Sequence, residues 1–290
     1  MITPRTRALL DRYTLATRVL SSDVGERMAR EAGQSVEFHD FRQYQPGDEL
    51  RYVDWRAYAR TGRLYTRLHQ AERTLRLHLL LDDSASMQLY GKASFMSSLA
   101  QLLVYLAQRD AVSQVHSFRG GQSRPALGLK AVADSWEFVE RVVSASEGAS
   151  IQPVRGIRDF ATRGSTRQGS ALVLVLSDLL DPDPLRPALT ALRARGFDVS
   201  FIQLLSETDL NPEAGLLELV DAESGDRMHV GPAEVRAYRD AIRQHVNRTR
   251  TAILRAGFRH LLIRIPDSSG EEREKEAFAA LLQAGIVIRR

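Results

Sequence analysis

The 290-residue sequence contains no cysteine, which excludes disulfide bonds, thiolate metal sites and cysteine nucleophiles. Lysine is scarce, because only three of the 40 basic residues are lysine (Lys92, Lys130 and Lys275). No apolar run approaches the ~20 residues that a membrane-spanning helix needs. Neither sign of charge dominates, since 36 acidic residues are interspersed with the basic ones and the net charge is +4. The sequence therefore predicts neither a membrane span nor a nucleic-acid surface of a single charge.

The composition is that of an ordinary globular protein, with 43% hydrophobic and 26% charged residues. The length suits one large domain or two modest ones. The charged first residues are not followed by the apolar stretch of a secretory signal, so we expect a cytoplasmic protein. The sequence also lacks a Gly-Lys-Ser/Thr phosphate loop and any close pairing of histidines, so it predicts no nucleotide site and no Ser-His-Asp hydrolase.

The residue pattern changes near position 75, and we expect an N-terminal extension over 1–74 and a larger domain over 75–290. In the extension, the spacing of apolar residues predicts a helix over Thr14–Ala32, and Arg63–Leu68 fits an edge strand. The larger domain alternates strands with helices. Its strands are predicted at Leu77–Leu81, Ala111–Phe118, Ala171–Leu176, Asp198–Leu205 and His260–Ile265, with a hairpin at Leu216–Val220 and Arg227–Val230.

The intervening helices are predicted at Phe95–Gln108, Trp136–Val143, Ile151–Thr162, Leu185–Arg195, Pro232–Arg255 and Glu272–Gln283. Strands that alternate with helices indicate an α/β fold, in which a mostly parallel sheet is covered by helices on both faces. In such sheets, ligands bind beyond the carboxyl ends of the strands.

Oxygen-bearing side chains follow two of these strands. Asp82 comes directly after Leu77–Leu81, with Ser84 and Ser86 on the loop to the next helix. One carboxylate and two hydroxyls suit a hard cation such as Mg²⁺. Alternatively, Ser84 or Ser86 caps the start of that helix.

The second strand, Ala171–Leu176, runs into Ser177 and Asp178, and Ser150 lies just before another predicted helix. If the two strands are neighbours, both carboxylates lie at one crevice, where Ser150 offers a further hydroxyl. Asp83 is an unusual second acid, which either strengthens cation binding or faces solvent.

This arrangement resembles the metal-ion-dependent adhesion site of von Willebrand factor A domains, which implies a domain of that fold. The resemblance implies that an ion, Mg²⁺ or else Mn²⁺ or Ca²⁺, is held directly or through water by Asp82, Ser84, Ser86, Ser150 and Asp178. The family usually has threonine in its third loop, and Ser150 keeps the hydroxyl while losing the methyl group.

The preceding segment, Phe41–Arg60, is similar to the signature of the bacterial domain-of-unknown-function family fifty-eight, and Asp221–Gly225 to its late hairpin. Members of that family are von Willebrand factor A-like proteins commonly encoded beside MoxR-type AAA+ ATPases. The resemblance implies that such an ATPase is the partner and that the pair works in protein assembly or as a chaperone.

Read physically, the signature segment mixes arginines, carboxylates and aromatic rings. Guanidinium groups can pair with its acids and stack on its rings, which favours a structural clamp on the larger domain over a partner-binding surface or a nucleic-acid surface. A clamp predicts that Trp55 is largely buried and that Asp54 pairs with an arginine.

Three functions compete. The first is a non-enzymatic docking module, in which an acidic side chain of a partner protein completes the coordination of the ion. The second is a Mg²⁺-dependent phosphate hydrolase, for which Asp82, Asp83 and Asp178 would supply barely enough carboxylates. The third is a nucleic-acid-binding protein, which the mixed charge disfavours. The hydroxyl ligands favour the docking module.

Overall fold

The computed structural model describes residues 7, 10–16, 40–45, 53–68, 75–144, 152–163, 171–213, 217–220, 227–265 and 271–290. The chain divides into two compact units, the first made of Met1–Arg18 with Leu75–Arg290 and the second of Val19–Thr74. The start of the sequence thus groups with the larger domain, which differs from a single boundary near position 75.

A five-stranded parallel sheet forms the centre of the first unit. From one edge to the other, the order is β5 (Ala111–Ser117), β4 (Leu75–Leu81), β6 (Ala171–Ser177), β7 (Asp198–Leu205) and β10 (Arg259–Arg264). All seven residues of β6 are buried, as expected for a central strand covered on both faces. The predicted parallel α/β fold is confirmed.

Helices cover both faces of this sheet. The helices whose bounds the structure describes in the first unit are α2 (Lys92–Ala107), α3 (Leu129–Ser144), α4 (Pro153–Thr162), α5 (Arg186–Ala194), α6 (Glu207–Leu210), α7 (Pro232–Arg255) and α8 (Glu271–Gln283). Alternate strand residues point to opposite faces. On one face, Leu77 and Leu174 pack in a core that includes α2, α3 and α8. On the other face, Val173 and Phe201 pack in a core that includes α4, α5 and one end of α7.

Short antiparallel pairs surround the sheet. Strand β1 (Tyr13–Leu15) pairs with β11 (Val287–Arg289). The helix predicted over Thr14–Ala32 is therefore wrong at Thr14 and Leu15, because pairing with a strand at the far end of the chain overrides local helical spacing. Strands β8 (Leu217–Val220) and β9 (Arg227–Val230) form the predicted hairpin. Within the described residues, no helix has the length and apolarity that would let it cross a membrane.

In the second unit, β2 (Asp40–Gln43) pairs with β3 (Tyr65–Leu68), and helix α1 covers Trp55–Thr61. Asp54 is buried and caps α1, since one carboxylate oxygen accepts hydrogen bonds from the backbone N–H groups of Arg56 and Ala57 at 2.9 Å. Trp55 is 57% exposed. The prediction that Trp55 is buried is wrong, because the first turn of α1 points its side chain outward.

Candidate metal site

Asp82 lies immediately beyond β4, at the carboxyl edge of the sheet. Its backbone N–H donates to the carbonyl of Leu176 on β6 at 3.0 Å, which fixes the start of the loop. Its carboxylate is fully buried and accepts from the Ser84 backbone N–H at 2.9 Å and from the Ser177 hydroxyl at 2.5 Å. The loop therefore holds this carboxylate in one orientation.

The hydroxyl of Ser84 contacts this carboxylate, and its oxygen atom lies 3.1 Å from that of the Ser86 hydroxyl. Ser84 precedes a short 3-10 turn over Ala85–Gly91, yet its side chain makes no capping hydrogen bond to that turn. The alternative prediction, that Ser84 caps the following turn, therefore does not account for the position of its hydroxyl. Ser84 is buried, whereas Ser86 is partly exposed, so the hydroxyl pair connects the buried carboxylate with the surface.

Asp178 follows β6, the neighbour of β4, and is as fully buried as Asp82. Burial, and next the negative charge of Asp178, raise the pKa of Asp82 to about 7. The two predicted carboxylates therefore meet at one edge and repel each other.

A buried lysine also reaches this edge. Lys92, the first residue of α2, is 1% exposed, and its ammonium group lies 2.9 Å from Asp178 Oδ2. The same group lies 3.2 Å from a carboxylate oxygen of Asp209 on α6. Burial acts to lower the pKa of Lys92, but the two carboxylates outweigh it, so this pKa lies above its usual value.

The charges at this edge do not balance. Asp82, Asp178 and Asp209 are buried carboxylates, and Lys92 is the one cation that pairs with any of them in the part of the chain described. A divalent cation would offset the remaining negative charge. Carboxylate and hydroxyl oxygens are the ligands that Mg²⁺ and Ca²⁺ prefer, so the donor set fits such an ion.

Asp83 points away from this set. Its carboxylate is 5% exposed, accepts from the Ser117 hydroxyl at 2.5 Å, and lies 3.5 Å from Nε of Arg119. Asp83 therefore anchors the loop to the end of β5. We expected Asp83 either to face solvent or to strengthen cation binding, and the structure shows neither of these contacts for its carboxylate but an anchoring role.

The structure brings four of the five predicted ligands to this edge, namely Asp82, Ser84, Ser86 and Asp178. Ser150 lies outside the described residues. Ser177, Lys92 and Asp209 were not predicted from the sequence. One signal in the sequence could have identified Lys92. It is one of only three lysines, and it directly follows the turn Ala85–Gly91 that continues the serine loop, Asp82–Ser86.

Comparison with known proteins identifies the family of this chain. The model of the family described as Protein of unknown function DUF58 matches residues 40–252. The chain belongs to this family. It is 28% identical over 214 residues to the uncharacterized protein Rv1480 of Mycobacterium tuberculosis (strain H37Rv) and to the uncharacterized protein Mb1516 of Mycobacterium bovis. Each match covers 69% of this chain and 65% of the mycobacterial protein.

Solved structures show more distant likeness. An aerotolerance-related membrane protein from Bacteroides fragilis is 14% identical, with a TM-score of 0.43, and the match covers 72% of this chain and 98% of that one. BatB from Bacteroides thetaiotaomicron is 12% identical, with a TM-score of 0.44 and the same coverage. Proximal thread matrix protein 1 from the mussel byssus, solved with zinc in its MIDAS motif, is 19% identical, with a TM-score of 0.36 over 46% of this chain and 38% of that one.

Proposed function

We propose that this chain is a metal-dependent protein-interaction module of the von Willebrand factor A type. Asp82, Ser84, Ser86 and Asp178 would hold a divalent cation, with Mg²⁺ as the first candidate, and Ser150 would add a hydroxyl from the third loop. The observation that carries this proposal is the charge imbalance at the carboxyl edge of the sheet, where Asp82, Asp178 and Asp209 are buried and one ammonium group pairs with the last two alone.

The hydroxyls account for binding rather than hydrolysis. A neutral hydroxyl leaves more positive charge on a bound cation than a carboxylate would, so the cation attracts an anionic oxygen from outside. Ser86 is the partly exposed member of the set and marks the side from which such an oxygen would arrive. An acidic side chain of a partner protein is the ligand that this arrangement favours.

The hydrolase alternative loses support from the role of Asp83. Because the carboxylate of Asp83 is engaged by Ser117 and Arg119, only Asp82 and Asp178 of the three carboxylates predicted for a phosphate hydrolase remain for a metal ion. In the described part of the chain, no group of three or more histidine, aspartate or glutamate side chains could hold a metal ion. Two-metal hydrolysis normally needs such a group.

The partner that we propose is a MoxR-type AAA+ ATPase, with the pair acting in protein assembly or as a chaperone. This part of the proposal rests on the resemblance of the signature segment and on membership of the family. The match spans 65% of the length of the mycobacterial relatives, so the activity of a whole protein of this kind is part of the proposal.

Metal binding is tested by thermal unfolding. After treatment with EDTA and its removal, a Mg²⁺ concentration about 100-fold above Kd should stabilise the chain by about 2.7 kcal/mol, because the ion binds only the folded state. For a domain of this size, we expect Tm to rise by roughly 5–10 °C. Mn²⁺ and Ca²⁺ titrations, measured by the same scanning fluorimetry, identify the preferred ion.

Asp82→Asn should abolish this rise while the chain stays folded, since the substitution keeps the size of the side chain and removes a repelled buried charge. Asp181→Asn is the matched control. Asp181 is a buried carboxylate on the same loop as Asp178, but its oxygens accept from the backbone N–H groups of Val154 and Asp183 at 2.8 Å. A rise in Tm that persists in Asp82→Asn, or that disappears equally in Asp181→Asn, would refute the assignment.

A further inference from the structure

A second polar site lies on the face of the sheet that α4 covers. A cavity of about 210 Å³ opens over the first half of β4 and the second half of β5, and it is bordered by α4 and by Phe197, which precedes β7. Arg76 on its rim precedes Asp82 by six positions, about 20 Å along the strand direction, whereas Ser117 at the opposite end of the cavity donates to Asp83. None of the residues that line the cavity is a predicted metal ligand.

Two histidines and two phenylalanines form the floor of the cavity. His78 on β4 and His116 on β5 share a hydrogen bond of 3.0 Å between Nδ1 and Nε2. Phe160 of α4 packs 4.9 Å from the His116 ring, and Phe197 lies 5.8 Å from Phe160, between ring centres. Burial, then Arg76, lowers the pKa of His78 to about 4, and burial, then His78, lowers that of His116 to about 3. The floor is therefore neutral at pH 7.

The positive charge of the cavity comes from three arginines, Arg76, Arg163 and Arg195. Within the described residues, no aspartate or glutamate lines this cavity, and no carboxylate pairs with Arg76 or Arg195. Arg163 lies 3.8 Å from the carboxylate of Asp159, which leaves its charge partly offset. The charged side chains that line the cavity are thus all positive.

The guanidinium group of Arg163 lies close to the backbone of Gly120. Gly120 has a φ of +96°, and a Cβ atom placed on it would lie 2.4 Å from Nη1 of Arg163. That nitrogen donates to the Gly120 carbonyl at 3.4 Å. The positive φ favours glycine at position 120, and a side chain there would require the guanidinium of Arg163 to shift.

We propose that this cavity binds a phosphate group, either free or as the monoester of a small molecule. Guanidinium groups match the geometry of phosphate oxygens and form charge-assisted hydrogen bonds with them. Three cations facing one cavity complement a dianion better than the single charge of a carboxylate. The volume is below the ~300–1,000 Å³ of pockets for drug-sized ligands, which points to a small ligand.

The experiment is isothermal titration calorimetry on the full chain with phenyl phosphate, in EDTA so that the metal site cannot capture the ligand. Saturable binding with a Kd of about 1 mM or tighter is expected. Arg76→Gln and Arg195→Gln should each weaken it by about 10- to 100-fold, because each removes a charge-assisted contact. Both arginines lie at least partly at the surface, so these variants should fold.

Two control variants should bind as the unmodified chain does. Arg158→Gln makes the same charge change on the exposed side of α4, away from the cavity. Asp82→Asn alters the metal site alone. Unchanged binding in both Arg76→Gln and Arg195→Gln, equal weakening in Arg158→Gln, or loss in Asp82→Asn would each overturn the assignment.

The choice of ligand separates the remaining possibilities. Benzoate that binds as tightly as phenyl phosphate would overturn the preference for a dianion, and no saturable binding up to about 10 mM phenyl phosphate would overturn the site itself. Inorganic phosphate distinguishes the two sources of the group. Equal affinity for inorganic phosphate and phenyl phosphate identifies the free ion as ligand, whereas tighter binding of phenyl phosphate identifies an ester whose organic part contacts Phe160 and Phe197.

Discussion

Replacing Lys92 by methionine is expected to lower the free energy of unfolding by about 3–5 kcal/mol, the usual cost of breaking a buried ion pair by removing one partner. Methionine fills a similar volume, so the loss reflects charge rather than packing. Without the ammonium group, the carboxylates of Asp178 and Asp209 remain buried without the cation that lies 2.9 and 3.2 Å from them. Urea unfolding in EDTA measures the change, with the slope of the transition checked for constancy.

Lys275→Met is the matched control, because Lys275 is exposed on α8 and its loss should change the free energy of unfolding by no more than about 0.5 kcal/mol. Lys92→Met combined with Asp178→Asn should recover part of the lost stability, since the double variant removes one of the stranded charges. A Lys92→Met chain as stable as the unmodified one would show that the ion pairs of Lys92 contribute nothing to stability. That result would also refute the inference of a bound cation from the charge imbalance at this edge.

The affinity of the chain for its partner is expected to fall by about 10- to 100-fold in Asp82→Asn, the effect of losing one charge-assisted contact. Removing the metal from the unmodified chain should cause the same fall, because both treatments empty the same site. The measurement is biolayer interferometry against the proposed partner, a purified MoxR-type ATPase, with Mg²⁺ and then with EDTA.

Asp181→Asn again serves as the control and should retain both the affinity and its sensitivity to EDTA. If the ATPase binds equally well with EDTA and with Asp82→Asn, docking through a metal ion is rejected. If the isolated chain instead hydrolyses a phosphate substrate and Asp82→Asn loses that turnover, the module is an enzyme. The phosphate cavity is unaffected by either outcome, since its residues and its test are separate.

The sequence predicted the parts of the fold that depend on local pattern. The apolar run Ala171–Leu176 identified the central strand, and helix α7 begins and ends at the predicted residues, Pro232 and Arg255. Because parallel strands present their carboxyl ends at one edge, the position of Asp82 and Asp178 after two such runs also predicted their proximity.

Features that depend on distant partners could not be predicted in this way. Thr14 and Leu15 have helical spacing but lie in a strand, because their partner β11 is at the other end of the chain. Trp55 is an aromatic residue in a signature segment, yet the first turn of α1 leaves it exposed. Aromatic character indicates a tendency to be buried, but only the orientation of the helix decides the outcome.

The same distinction between local pattern and distant partners applies to the residues of the candidate site. The oxygen ligands were visible in the sequence, since Asp82, Ser84 and Ser86 are close neighbours on one loop. Lys92 was not, because its partners Asp178 and Asp209 are 86 and 117 residues further along the chain. Local spacing determined which side chains could hold an ion, whereas only the tertiary structure decided which charges are buried together, because burial and long-range pairing depend on how the strands and helices pack.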